Sequence, residues 1–320
     1  MEYKIFWKAI QKGHIALAQQ LFPYLTFSQA EKGTIFQAAL KDSNYFYIFL
    51  IDQLTEEELT PYLHKALLAS HEEAVALLLQ KGADPKMPTQ YGEVPLSLAI
   101  KPQGTSIKIL NDLIDYGADI FQENRHKGTP LLKAASLGLI EVVDFIVQKG
   151  GELNEDVLSR GASNNHVNVV QYCLAGGIKV PQKAYYMSLF YGHGDMVKYL
   201  TKVDRQRFTA NCLYNPLVIA ASNGRREILE LFLKKKLPEE RNERVTLCST
   251  ALMAAVEAGH GHLVQMLLDA GADINYMDEG ESMVDVAQGA GHKNIASYLI
   301  RRGGCNHKEV FHKNVHQFIQ

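Results

Sequence analysis

The sequence predicts an all-α solenoid of about ten helix-pair units, with β-hairpin fingers in only some of them. Three observations carry that prediction. A ten-residue segment recurs in register; a second apolar stripe follows each copy; and helix-breaking residues recur 27 to 35 residues apart along most of the 320 residues.

The recurring segment is seen at 129–138 (TPLLKAASLG), 215–224 (NPLVIAASNG), 250–259 (TALMAAVEAG) and 282–291 (SMVDVAQGAG). Thr129, Asn215, Thr250 and Ser282 are residue types whose side chains accept a backbone N–H and so begin a helix, and a proline just inside fits the first turn. The alanines let a short inner helix lie close to its neighbours. The terminal glycine takes the left-handed conformation that ends the helix and reverses the chain. In the stripe that follows the third copy, Leu263, Val264, Leu267 and Leu268 share one face of an outer helix. The next Gly-Ala-Asp ends that helix and opens a loop.

Taken as a ruler, the helix-breaking position falls at Gly13, Asp42, Ser70, Gln103, Gly138, Asn165, Gly192, Gly224, Gly259 and Gly291. A unit of 27 residues is nearly used up by its two helices, whereas 32 to 35 residues leave room for a projecting finger. Well-formed fingers are therefore expected near 82–94, 117–129 and 271–282, a longer polar loop at 235–249, and short or missing fingers around 150–183. The array spans 1–304, with degenerate units at 1–60 and 150–205, and 305–320 forms a tail or a short closing helix over 308–318. The aromatic start (Tyr3, Ile5, Phe6, Trp7) reads as an atypical first helix packed on the second unit, because a terminal unit has a neighbour on one side only.

The composition excludes several classes. A formal net charge of -2 and a pI of about 6.6 suggest no nucleic-acid partner, since a polyanion recruits a basic surface. No apolar run approaches the roughly 18 residues needed to enter and cross a bilayer, and the first residues lack the apolar core of a secretory signal. Cys173, Cys212, Cys248 and Cys305 lie far apart and fit a reducing, cytoplasmic compartment. Hydrolase, zincin and phosphate-loop signatures are absent, and no cofactor is implied. Cys305, His307, His312 and His316 are all zinc-ligand types, with His312 and His316 one helical turn apart, but their spacing matches no zinc motif and a solvated tail is the default reading. The mixed-sign run from Lys234 to Arg244 reads as a solvated loop, and Glu56, Glu57 and Glu58 as an acidic helix start.

These segments resemble the ankyrin repeat, whose pattern reads Thr-Pro-Leu-His-x-Ala-Ala, then Gly-His, then Gly-Ala-Asp. Gly-His occurs at Gly13, Gly192, Gly259 and Gly291, and Gly-Ala-Asp at Gly82, Gly117 and Gly271; the resemblance is strongest over 61–160 and 215–303. It implies that His14, His193, His260 and His292 bond backbone at the inter-helix turn, and that His64 ties adjacent loops and helices. It also implies a monomeric, non-enzymatic scaffold that grips one or more proteins with finger tips and inner helices; the alternative is an enzyme with a site between repeats or with the tail. Carried over by position, the partner-binding candidates are Met87, Tyr91, Phe121, Arg125, His126, Lys133, Tyr276 and Asp278. Gln90, Lys127, Met277 and Glu279 stand beside them at the finger tips, and Lys65, Ser136 and Glu257 on the inner helices. The drifting units and the Lys-, Tyr- and Phe-rich composition look like effectors that bacteria inject into host cells, or like viral ankyrin proteins, which would place the chain in a host cytosol.

Overall fold

The computed structural model describes residues 2–41, 45–204, 215–235 and 240–307. The chain groups into two compact units, Met1–Val157 and Leu158–Gln320. In the first, helix pairs follow one another: α1 (Glu2–Gln11) with α2 (Ile15–Leu21), α3 (Gln29–Lys41) with α4 (Phe46–Asp52), α5 (Glu56–Ala69) with α6 (Glu72–Gln80), α7 (Pro95–Ala99) with α8 (Ile107–Asp115), and α9 (Pro130–Leu137) with α10 (Ile140–Gln148). The odd-numbered inner helices lie side by side from α1 to α9, and the even-numbered outer helices from α2 to α8.

The division between the units falls within α11 (Glu155–Ser163), which precedes α12 (Val167–Ala175). Four further pairs follow: α13 (Gln182–Tyr191) with α14 (Gly194–Val203), α15 (Pro216–Ser222) with α16 (Arg226–Lys235), α17 (Arg241–Glu257) with α18 (Gly261–Asp269), and α19 (Met283–Gly289) with α20 (Lys293–Arg301). Here too α13, α15, α17 and α19 form one row. This is the predicted all-α solenoid of helix pairs.

Local chemistry sets the ends of the pairs. Thr129 accepts the Leu132 N–H at 3.3 Å, Asn215 that of Leu217 at 3.0 Å and Ser282 that of Asp285 at 3.2 Å, so three of the four expected caps are made. Left-handed residues stand at Gly13, Ser70, Gly138, Asn165, Gly192, Gly224, Gly259 and Gly291, and between α7 and α8 at Gly104, one residue past the expected Gln103. Asp42 lies outside the described residues. Leu263, Val264 and Leu267 of α18 are buried and Leu268 half-buried, as the stripe predicted. Each fully buried side chain of this size contributes about 1.5–3 kcal/mol. At the start of the chain, Phe6 is wholly buried, its ring centroid 5.1 Å from Phe27, 5.9 Å from Phe46 and 6.1 Å from Phe22.

Two expectations are corrected. The polar loop predicted over 235–249 is helical from Arg241 onward, because α17 runs 17 residues to Glu257. Arg and Glu are good helix formers, and Cys248, Ala251, Leu252 and Ala255 recur at helical spacing and are fully buried. Thr250 is therefore no cap: its hydroxyl donates to the Thr246 carbonyl at 2.9 Å inside the helix. Of the three fingers, one has paired strands, β1 (Met277–Asp278) against β2 (Glu281–Ser282). The other two are tight turns, closed by Thr89 N–H to Glu93 O at 2.8 Å and by Asn124 N–H to Gly128 O at 3.0 Å. The connections between α10 and α11 and between α12 and α13 are short and carry no finger. The proposed closing helix over 308–318 lies outside the described residues.

Candidate partner-binding site

Each finger is rooted by the aspartate of its Gly-Ala-Asp. Asp84 accepts the Lys86 N–H at 2.8 Å, Asp119 the Phe121 N–H at 2.8 Å and Asp273 the Asn275 N–H at 2.9 Å. The Asp84 N–H bonds the Thr60 hydroxyl at 2.9 Å, and the Asp273 N–H that of Ser249 at 2.7 Å. Those contacts account for two of the buried polar side chains, which sequence reading missed; a hydroxyl one place before the family's Thr position is the signal.

In the first unit, finger 119–128 rests on finger 84–93. Gln122 Nε2 donates to Lys86 O at 2.8 Å, Arg125 N–H to Gly92 O at 3.3 Å and Asn124 Nδ2 to Glu93 Oε1 at 3.4 Å. Gly92 makes the approach possible: its φ is 77°, and a Cβ there would stand 3.0 Å from Arg125 Cβ. His64 Nε2 lies 3.0 Å from Met87 O and ties the first finger back to α5.

On this braced backbone the apolar tips face outward. Tyr91 is 64% exposed, Phe121 55% and Met87 53%. Arg125 and His126 are exposed, with Arg125 Nε donating to His126 Nε2 at 3.0 Å. Lys127 is exposed at a φ of 55°, a conformation that costs a side-chain-bearing residue about 1–2 kcal/mol. Lys133 is half-buried, not exposed, and its ammonium donates to Ser97 O at 2.8 Å. Lys65 and Ser136 are half-buried as well, and Glu257 is exposed. In the second unit, Asp278 is exposed on β1, whereas Tyr276 is half-buried against the core. The first unit thus carries Met87, Tyr91, Phe121, Arg125, His126 and Lys133, and the second Tyr276 and Asp278.

Of the histidines after the helix-ending residue, His193, His260 and His292 bond backbone, and they do so in the preceding helix pair. His193 Nε2 lies 2.8 Å from Ser163 O, His260 Nε2 3.1 Å from Ser222 O and His292 Nε2 3.1 Å from Glu257 O. Every acceptor sits two residues before its own left-handed residue, among the carbonyls a helix end leaves unpaired. Arg225 Nε does the same to Phe190 O at 2.9 Å, and Lys101 Nζ caps Leu67 O at 2.7 Å and Leu68 O at 2.6 Å. Neither belongs to a Gly-His pair, so the motif alone could not identify them.

Electrostatics follow burial. Lys133 is held below the usual lysine range by burial, which Glu93 partly opposes; Lys101 is lowered by burial and by the charge of Lys133. His64 is lowered by burial and by Lys65, against the pull of its Met87 bond. The unfolded chain therefore binds the His64 proton more readily than the folded one. The stability linked to His64 is present above about pH 6.5, the ordinary histidine value, and is lost as pH falls below it. Urea midpoints of the native chain should drop between pH 7.5 and pH 5, and His64→Gln should drop less; equal slopes would show that His64 contributes nothing to the pH dependence.

Cys305 is buried, with its N–H on Asn275 Oδ1 at 2.9 Å, and the His307 N–H donates to Asp285 at 2.7 Å. His312 and His316 lie outside the described residues, among which no cluster of three metal-ligand types occurs. No described helix is long and apolar enough to cross a membrane.

Comparison with known proteins bears on the same features. The family model for ankyrin repeats matches residues 217–310 in three copies. The ankyrin repeat and KH domain-containing protein mask-1 of Caenorhabditis elegans is 28% identical over 262 residues, covering 79% of this chain and 9% of that protein. Ankyrin repeat and KH domain-containing protein 1 of Homo sapiens is 32% identical over 90 residues, 27% of this chain and 4% of the relative. The chain spans less than a tenth of the length of either. Ankyrin repeats are protein–protein interaction modules. Stacked helix pairs, left-handed turns and three matching copies identify residues 217–310 as ankyrin repeats.

Proposed function

We propose that the chain is a non-enzymatic scaffold that binds a partner protein through the fingers and inner helices of the repeats in 1–304. One observation carries the reading. The two fingers of the first unit brace each other through backbone and side-chain bonds, yet turn Met87, Tyr91 and Phe121 into solvent. Apolar and aromatic side chains on rigid supports are the kind that anchor interfaces, because little conformational entropy is lost when they are covered.

Replacing Tyr91 and Arg125 together by alanine should weaken capture of the partner from native cytosol at least about tenfold. Both side chains are exposed, so thermal stability should move by no more than about 1–2 °C. A comparable loss of folding would make them packing residues and remove the support for this face. Action inside a host cell is a matter of delivery, not of binding, and translocation with and without residues 301–320 measures it.

A further inference from the structure

We infer that the first helix pair, α1 with α2, is a docking surface for an anionic lipid bilayer, on which it lies without crossing the hydrocarbon. Such a surface is separate from the finger tips and needs no partner protein.

On α1, Phe6, Ala9 and Ile10 are buried, so Lys4, Lys8 and Gln11, at i, i+4 and i+7, share the opposite, exposed face, and Lys12 follows directly. Ile5 is 44% exposed beside this stripe. Elsewhere in the first unit lysines find acids: Lys81 pairs with Asp52, Lys108 with Glu72 and Lys149 with Asp115. Among the described residues no ion pair engages Lys4, Lys8 or Lys12. Residues 2–41 hold five lysines (Lys4, Lys8, Lys12, Lys32 and Lys41) against two acids, Glu2 and Glu31. Glu31 is already occupied by the Ser28 N–H and hydroxyl, each at 2.8 Å. Glu56, Glu57 and Glu58 open α5, which packs against α3, and Glu58 is engaged by Gln29 and by the Thr55 N–H. Past residue 41 the unit carries more acids than bases, so an anionic surface would be met α1 first.

Apolar side chains accompany the lysines. α2 holds no charged residue, and its Leu17 is 40% exposed. The turn that follows is held onto α1: Tyr3 donates to Thr26 O, and the rings of Phe22 and Phe27 lie 6.1 and 5.1 Å from Phe6. That turn leaves Tyr24 82% exposed. Lysines interspersed with exposed aliphatic and aromatic groups suit the headgroup layer, where ammoniums meet phosphate and apolar groups reach the acyl boundary. A nucleic acid is the other polyanion such a face could attract, and the residue types disfavour it. Residues 2–41 contain no arginine, the side chain whose planar fork grips a phosphate or a base edge through two bonds. Ile5 and Leu17, being aliphatic, offer no platform on which a base could stack.

The test is co-sedimentation of the full chain with vesicles of phosphatidylcholine alone and of phosphatidylcholine mixed with phosphatidylserine, with a single-stranded oligouridylate as competitor. The chain should pellet with the phosphatidylserine vesicles and stay in solution with the neutral ones, and added salt should release it. Trp7, the single tryptophan, stands on α1, and its emission should shift to the blue on binding. Combined Lys4→Gln, Lys8→Gln and Lys12→Gln should weaken binding about a hundredfold, at about fivefold per lysine. Ile5→Ser should weaken it about threefold to tenfold. All four side chains are exposed, so the melting temperature should hold; if the triple variant unfolds, the salt series and the neutral vesicles still decide the outcome. Equal binding to both kinds of vesicle, or binding to neither, would overturn the inference. So would phosphatidylserine binding that ignores the lysine and Ile5 substitutions. Oligouridylate that displaces the vesicles and is itself lost in the triple variant would replace the inference with nucleic-acid binding. Capture of a partner protein through Tyr91 and Arg125 is measured separately and survives each of these results.

Discussion

Gly259→Ala should destabilise the second unit by about 2–4 kcal/mol, clearly more than Gly291→Ala at about 1–2 kcal/mol. Both glycines have φ of 81°, so a Cβ at either carries the same left-handed penalty. Their surroundings differ. At Gly259 the new carbon would lie 2.6 Å from Cε1 of His292, whereas at Gly291 nothing stands within 4 Å. His292 cannot simply swing away, because its Nε2 lies 3.1 Å from Glu257 O and departure would leave that helix-end carbonyl without its partner. Adding His292→Ala to Gly259→Ala separates the terms: the clash vanishes, so the double variant should be more stable than the sum of the singles by about 1 kcal/mol or more. Hydrogen exchange across α17–α20 measures this. Equal costs at the two glycines would show that the imidazole gives way freely.

The second large effect is expected at the opposite end of the chain. Phe6→Ala should cost about 3–5 kcal/mol, the range for removing a wholly buried aromatic ring. Phe6 is 0% exposed and its ring lies against those of Trp7, Phe22, Phe27 and Phe46, so the loss opens a hole among rings too large to close over it. The damage should stay local. Exchange should rise in α1–α4 while α17–α20 keep their protection, and fluorescence of Trp7, the single tryptophan, should report an earlier transition. A cost below about 1 kcal/mol would mean that the cluster repacks.

Pairing and turns were legible in the sequence because each rests on local chemistry. A stripe at helical spacing, a capping hydroxyl and a left-handed residue can be read from a few neighbouring letters, and Ser70 and Asn165 were found by spacing although neither is glycine. The error at Arg241 came from reading charge as loop: mixed-sign residues also suit an exposed helical turn, and the buried Cys248 that decides the matter makes its contacts across the fold. The fingers were placed correctly, but whether a turn zips into strands depends on a few backbone bonds that composition does not encode. For the binding face, residue type and position were readable and orientation was not. Lys133 has the character of a contact residue, yet its ammonium is turned onto Ser97. Arg225 and Lys101 perform the histidines' task without the histidines' motif.

The clamps made by His193, Arg225, His260 and His292 all point one way. Each reaches back to the close of the preceding inner helix, and none reaches forward. Dependence along this stretch is therefore asymmetric: deleting a pair strips the cap from the helix before it, and leaves the cap on the helix after it without a recipient but not without a fold. Unravelling should accordingly spread more readily towards the N-terminal side of a lesion than away from it, giving a run of similarly built modules a grain, as wood has.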